Sequence, residues 1–70
     1  MVKFASVVSG NIMAIGWEKS NAQLFVKFRA GPMSVYAGVP EKIYTAFLAA
    51  PSKGKFFARF IVGQYPETKK

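Results

Sequence analysis

The spacing of the apolar residues changes at Gly38-Val39-Pro40, and this change constrains the fold more than any other feature of the sequence. Before this tripeptide, apolar residues tend to recur at every second position, which is typical of β-strands. After it, they recur three and four residues apart, which is typical of helices. Glycine loosens the backbone, and proline fixes φ at a value that suits a helix start. We therefore predict one α+β domain of 70 residues, with a small sheet first and helices second.

Three segments before the tripeptide have the pattern of β-strands. Residues 12–17 are apolar at nearly every position, which is typical of a strand covered on both faces. Residues 23–29 alternate, with one face wholly apolar, and residues 33–37 form a shorter alternating segment. Because short turns join these segments, we predict a three-stranded antiparallel meander. The weakly patterned residues 1–9 are expected to extend a strand or to lie over the core.

Two helices are predicted after the tripeptide. The first ends before Pro51, because the residue that precedes a proline is disfavoured in the helical region. Ser52 is a natural N-cap for the second helix, and Gly63 is well placed as its C-cap. Both helices are expected to pack on one face of the sheet. The structured core of this single domain then spans residues 9–65, and residues 66–70 form a flexible polar tail.

The residue types argue against several classes of site. The chain has no Cys and no His, so it has neither disulfides nor thiolate or imidazole metal ligands, and we predict no metal and no cofactor. The three carboxylates, Glu18, Glu41 and Glu67, fall in a turn, at a helix start and in the tail. A paired acid–base site is therefore not expected, and neither is enzyme activity.

The apolar segments are too short for a targeting or membrane-spanning role. The first ten residues lack the long apolar core of a secretory signal, and no apolar run in the sequence is long enough to cross a bilayer. A cytoplasmic location without membrane insertion is therefore expected.

The net charge of +7 comes from ten Lys and Arg residues against three acids. Such a chain attracts polyanions: nucleic acid, an anionic membrane surface or an acidic protein face. The cations nearest a candidate anion site are Lys53 and Lys55, beside Ser52 at the start of the second helix, with Arg59 one turn later. A helix start offers free N–H groups and the positive end of the helix dipole, which favour a phosphate. The alternative interpretation is an ordinary capped helix with exposed lysines.

A second candidate surface is the face of the sheet that the helices leave open. If Leu24, Val26 and Phe28 face the helices, the residues expected on this open face are Phe25, Lys27, Arg29, Ser34 and Tyr36. Aromatic side chains interleaved with cations resemble the stacking platforms that bind single-stranded nucleic acid. The alternatives are that these aromatics fill the core, or that the face forms a homodimer interface. Trp17 is a further stacking candidate, although a single Trp in a small domain more often lies at the core edge.

Three motifs of the sequence resemble those of one known domain family. Residues 9–18, SGNIMAIGWE, are similar to the family's SSNI-x-AIGYD opening. Residues 36–40, YAGVP, resemble its Y-x-GVP centre, and residues 50–57, APSKGKFF, resemble its APSKGxFFN end. The further matching positions are Tyr44, Leu48, Ile61 and Tyr65. The family that these motifs resemble is the KTSC domain family, and the resemblance covers about residues 9–65, with the motifs in the same order.

What the resemblance implies about function is limited. The family occurs at the C-terminus of some lysyl-tRNA synthetases and as short standalone proteins of bacteria and phages; its function is unassigned, with RNA binding suggested. This sequence departs from the pattern at Ser34, where the family has a Tyr, at Ala58, where it has Asn, and at Val62, where it has Arg. If those polar residues carry the family's binding function, this member is weakened or redirected. Apolar replacements also suit a protein partner better than RNA.

Together these observations predict a small, basic, non-catalytic binding module whose partner is nucleic acid, RNA before DNA. The predicted binding residues are Lys27, Arg29, Tyr36, Ser52, Lys53, Lys55 and Arg59, with Phe25 and Trp17 as stacking candidates. The competing prediction is a protein-interaction module, such as a phage-borne regulator that binds an acidic host protein. Self-association through the open sheet face is a third alternative.

Overall fold

The computed structural model describes residues 3–7 and 10–69, and its strands form one antiparallel sheet. The strands are β1 (Lys3–Ser6), β2 (Ile12–Glu18), β3 (Gln23–Phe28), β4 (Ser34–Tyr36) and β5 (Glu67–Lys69). Each strand pairs with its neighbours in chain order. The α+β class with an antiparallel sheet and two helices is therefore confirmed. The expectations for residues 1, 2, 8, 9 and 70 lie outside the described residues.

The prediction of three strands is wrong, because the sheet has one more strand at each edge. β1 pairs with β2, so that Lys3 lies opposite Trp17. β5 pairs with β4 within the segment that was predicted as a polar tail. Side chains of edge strands such as β1 are mostly exposed. Strands of this kind carry little apolar alternation, so the sequence pattern does not reveal them.

The first helix follows the sequence pattern. α1 spans Glu41–Ala49, directly after Pro40, whose backbone is extended. Ala50 ends the helix in an extended conformation, with ψ at 135°. This conformation is the one that the ring of the following Pro51 favours in the residue before it.

The second helical segment changes its winding part-way along. α2 (Lys53–Phe56) continues directly into a π-helical turn (Phe57–Ile61). Ser52 is its N-cap, since its side-chain oxygen accepts a hydrogen bond from an amide of the first turn. Gly63 follows the end of the segment with φ at +79°, the left-handed conformation in which glycine commonly ends helices. Single π-helical turns are rare and frequently lie at functional sites.

Side chains from the sheet and from both helical segments share one buried core. Leu24 and Val26 of β3 belong to the same cluster as Phe47 of α1 and Ile61 of the π-helical turn, and all four are fully buried. Burying one such side chain stabilises the fold by roughly 1.5–3 kcal/mol relative to leaving it exposed. Because the chain has no Cys from which to form a disulfide, this cluster is the main source of stability.

The tripeptide at which the spacing changes is fixed by hydrogen bonds to β2 and to the turn between β2 and β3. Gly38 has φ at +73°, which turns the chain from β4 toward α1. The Val39 amide donates to the Ala22 carbonyl at 2.8 Å, and the Trp17 indole N–H donates to the Val39 carbonyl at 2.8 Å. The Trp17 ring also stacks on Tyr44 at 6.0 Å between centroids. Trp17 is thus half-buried at the core edge, where it joins β2 to α1.

Candidate functional site

The register of β4 against β3 separates two residues that were expected to share a face. Leu24 lies opposite Tyr36, and Phe25 lies opposite Val35. Directly opposed residues of antiparallel strands point to the same face. The expectation that Phe25 and Tyr36 lie together on the open face is therefore wrong. Alternation does not identify the inward face of β4, because all three of its residues are buried.

Tyr36 lies in the core rather than on a surface. Its side chain is 2 % exposed, and its ring meets Phe57 edge-on at 5.7 Å between centroids. Burial raises the pKa of Tyr36, and the nearby Glu67 carboxylate raises it further. The buried Ser34 hydroxyl donates to the same carboxylate at 2.8 Å. Ser34 and Tyr36 thus form a polar cluster that joins β4 to β5, and the Tyr36 ring offers no open face to a base.

The opposite face of the sheet carries the other predicted aromatic. Phe4, Gly16, Phe25 and Val35 lie side by side across the strands and share this face. The Phe4 and Phe25 rings meet edge-on at 6.2 Å, and the Lys27 ammonium lies 5.0 Å from the centroid of the Phe4 ring. We call Phe4, Phe25 and Lys27 the sheet-face cluster. The structure therefore brings Phe25 and Lys27 together as expected and adds Phe4.

Three of the predicted binding groups make hydrogen bonds within the chain. The Arg29 guanidinium donates through Nε to the Gly10 carbonyl at 3.1 Å. The Lys53 ammonium donates to the Ala50 carbonyl at 2.6 Å, which satisfies a carbonyl just past the end of α1. The Ser52 hydroxyl accepts from the amide of Lys55 at 3.4 Å. These contacts account for Arg29, Ser52 and Lys53 structurally, without a phosphate.

The remaining predicted cations of the second helical segment converge on one surface groove. Lys55 and Arg59 line it, four residues apart and therefore on one side of the helical segment. The other residues that line this helical groove are Ala50, Pro51, Ser52, Phe56, Ala58 and Phe60. The groove thus combines two cations with a largely apolar wall.

A row of stacked aromatic rings runs from the core into the helical groove. Phe47, fully buried, stacks on Phe56 at 5.3 Å between centroids, and Phe56 meets Phe60 at 4.8 Å. Phe60 is 48 % exposed, so one end of the row reaches solvent. We call Phe47, Phe56 and Phe60 the aromatic row. Its outermost ring packs on the partly buried Phe56, which in turn stacks on the buried Phe47.

The π-helical turn carries the exposed Phe60 next to the fully buried Ile61. The Val62 amide donates to the Phe57 carbonyl at 3.0 Å, five residues back, which widens the turn. In this wider turn Ile61 is fully buried in the core, against which Phe57 also packs, whereas Phe60 is exposed. No residue type in this segment signals a π-helical turn, so helical spacing alone could not predict that Phe60 is exposed.

The sequence matches a known family model over most of its length. The KTSC domain model matches residues 8–65. The chain belongs to the KTSC domain family. The crystal structure of a KTSC domain protein from Yersinia pestis is similar to this one, with a TM-score of 0.96 and 34% sequence identity over 100% of this chain and 99% of that chain. Because that alignment covers the whole chain, it includes the edge strands β1 and β5. A search of curated proteins found no match.

The three departures from the KTSC sequence pattern lie in different surroundings. Ser34 is buried and hydrogen-bonded to Glu67, so it is part of the core. Ala58 lines the helical groove, and Val62, which follows the π-helical turn, is 47 % exposed. Two of the three departures therefore make the surface at or beside the second helical segment more apolar.

The three carboxylates of this KTSC domain lie on separate elements. Glu18 accepts hydrogen bonds from Ser20 and Asn21 in the turn after β2, and the bond from Ser20 is the main cause of its lowered pKa. Glu41 opens α1, and Glu67 lies on β5. Within residues 3–7 and 10–69, no three His, Cys, Asp or Glu side chains gather as metal ligands. In the same residues, no helix has both the length and the hydropathy to cross a membrane.

Proposed function

We propose that this KTSC domain is a non-catalytic nucleic-acid-binding module that holds the nucleic-acid backbone in the helical groove. The observation that carries the proposal is the convergence of Lys55 and Arg59 with the exposed Phe60 in that groove. Cations beside an exposed aromatic ring suit a ligand that is both anionic and aromatic, and a nucleic acid is such a ligand. RNA comes before DNA in the proposal, as the resemblance in sequence implied.

The net charge supports the proposal at long range. The chain carries +7 overall, so a polyanion is attracted before any specific contact forms. Each phosphate that the protein neutralises releases counterions, and the logarithm of the binding constant falls by roughly 0.7 per neutralised phosphate and per tenfold rise in salt for single strands. Binding through the helical groove is therefore expected to weaken steeply with salt.

A salt titration with matched charge variants tests the proposal. Wild-type protein is titrated against single-stranded RNA, duplex RNA and DNA at several salt concentrations. The groove variant carries Lys55→Gln and Arg59→Gln, and the control variant carries Lys19→Gln and Lys42→Gln, which removes the same charge from exposed residues outside the groove. We expect the groove variant to lower the salt slope by roughly 0.7 for each phosphate that it no longer neutralises. The control should change the slope much less.

Two results would overturn the proposal. The first is no salt-sensitive binding of wild-type protein to any nucleic acid at micromolar concentration. The second is an equal weakening in the groove and control variants, because the charge would then act without a site. Recovery of a stoichiometric acidic protein from nuclease-treated lysate, abolished in the groove variant, would instead identify a protein-interaction module; the apolar Ala58 and Val62 are the features that such a partner would use.

A further inference from the structure

We propose that the helical groove takes a single strand of RNA with an unstacked base lying on Phe60, in preference to a duplex. This inference rests on the proposed nucleic-acid function and adds the class of substrate. It follows from the exposed Phe60 at the outer end of the aromatic row, from the two cations that line the same groove, and from the contacts that Phe4, the exposed phenylalanine on the sheet, already makes.

The aromatic row makes Phe60 a prepared stacking surface. Its inner neighbour Phe56 lies 4.8 Å away between centroids and is itself stacked on the fully buried Phe47. A ring that is already held by its neighbours loses little conformational freedom when a ligand stacks on it. Nearly half of the Phe60 side chain is nevertheless left in water, in a domain whose core is small. An exposed ring with a rigid backing is suited to stacking against a planar partner.

The cations of the groove suit the phosphates on either side of such a base. Lys55 and Arg59 line the same groove as Phe60, and Arg59 is its neighbour in the chain. In a duplex the bases are paired and stacked inside the double helix, so the Phe60 ring would meet only the sugar-phosphate backbone. In a single strand the base can leave the stack and lie on an aromatic side chain. Only the single strand uses the ring and the cations together.

The sheet-face cluster is less suited to the same task. Phe4 is 38 % exposed, but the Lys27 ammonium lies 5.0 Å over its ring and its neighbour Phe25 meets it edge-on. A cation over an aromatic face is itself a favourable contact, which a base would have to displace. Phe4 therefore serves as a matched control. It is a phenylalanine of similar exposure on a different surface, and its ring face already contacts the Lys27 ammonium.

The test compares Phe60→Leu with Phe4→Leu on strands that differ only in their bases. The ligands are an oligouridylate of about 12 nucleotides, within the site sizes of known single-strand binders, and an abasic strand of the same length. We expect Phe60→Leu to weaken binding of the oligouridylate by about 5- to 140-fold, because a base stacked on an aromatic ring typically contributes that much. Binding of the abasic strand and of duplex RNA should change less than about twofold. Phe4→Leu should leave all three affinities unchanged, and Phe60→Tyr, which keeps a ring, should retain wild-type affinity.

The possible failures of this inference and of the proposed function are distinct. If wild-type protein binds no nucleic acid in a salt-sensitive way, the proposed function itself fails. If binding is salt-sensitive but Phe60→Leu weakens the oligouridylate and the abasic strand equally, or weakens neither, the inference fails alone. A larger effect in Phe4→Leu than in Phe60→Leu would transfer the stacking role to the sheet-face cluster. Circular dichroism melts of each variant establish that the affinities refer to folded protein.

Discussion

Tyr36 is a buried side chain in a short strand, and strand pairing rather than alternation determines which face of the sheet it occupies. Its neighbours in β4 are both buried, so alternation gave no inward face. The register with β3, opposite Leu24, decides the question. The phenol oxygen is accommodated by the polar cluster with Ser34 and Glu67, which explains why a tyrosine can lie in this core.

We predict that Tyr36→Phe keeps both the fold and nucleic-acid binding and lowers the free energy of unfolding by about 1 kcal/mol, the usual contribution of one hydrogen-bonding group. Tyr36→Ala should unfold the domain, because emptying a buried aromatic site costs about 3–5 kcal/mol and a core of this size supplies about as much. Urea unfolding and the RNA titration measure the two effects. Loss of binding in a stably folded Tyr36→Phe variant would assign the hydroxyl to the binding site instead.

The pH dependence of the same variant checks the environment of the phenol. Burial and the Glu67 carboxylate raise the pKa of Tyr36 in the folded protein. The unfolded chain therefore loses the phenol proton first as the pH rises above about 10, the ordinary pKa of tyrosine. Since the unfolded state then binds fewer protons, wild-type stability falls with pH above that value. The difference between wild-type protein and Tyr36→Phe should be constant below about pH 10 and should shrink above it; a constant difference to high pH would contradict the assignment.

At the scale of elements, the turn between β4 and α1 and the start of α2 each contain a glycine with a different task. Gly38 lies at φ +73°, whereas Gly54 lies inside a helix. Apart from the chain neighbours and, for Gly54, the backbone of its own helix, no atom of the described residues lies within 4 Å of a Cβ built at either position. Any effect of alanine at these sites is therefore an effect on the backbone conformation.

We predict opposite signs for the two alanine substitutions. Gly38→Ala should lower the free energy of unfolding by about 1–2 kcal/mol, because an L-residue is strained in the left-handed conformation. Gly54→Ala should raise it by roughly 0.5–1 kcal/mol, because alanine has the higher helix propensity. Chemical denaturation of the two variants measures both changes. Equal and small changes would mean that the turn relaxes to another backbone conformation.

The elements that the sequence predicted are those whose pattern depends on local chemistry. β2, β3 and both helices carry apolar spacing together with proline, serine and glycine at their ends, and these signals hold in the structure. β1 and β5 exist because a neighbouring strand offers an edge, which is information from the whole sheet. The same distinction applies to the site: the cations Lys55 and Arg59 were identifiable by type and position, whereas the exposure of Phe60 depends on the π-helical turn.

At the scale of the whole molecule, the predicted binding residues do not form one platform. Lys27 and Phe25 lie in the sheet-face cluster, and Lys55 and Arg59 lie in the helical groove. Tyr36 is in the core. The domain as a whole nevertheless carries an excess of positive charge. This charge favours a polyanionic partner and at the same time destabilises the folded state through repulsion between like charges.

These two consequences of the charge predict opposite responses to salt. The molecule measures 29 × 23 × 23 Å. The Debye length is about 30 Å at 0.01 M salt, so every cation then repels every other, and about 8 Å at 0.15 M, so only near neighbours do. Raising the salt between these values should therefore raise the melting temperature of the free domain while it weakens RNA binding. The Lys19→Gln and Lys42→Gln control variant, with two fewer positive charges, should show a smaller thermal shift and nearly the same weakening of binding. A melting temperature that falls with salt would mean that attractive pairs, rather than net repulsion, dominate the electrostatics of the fold.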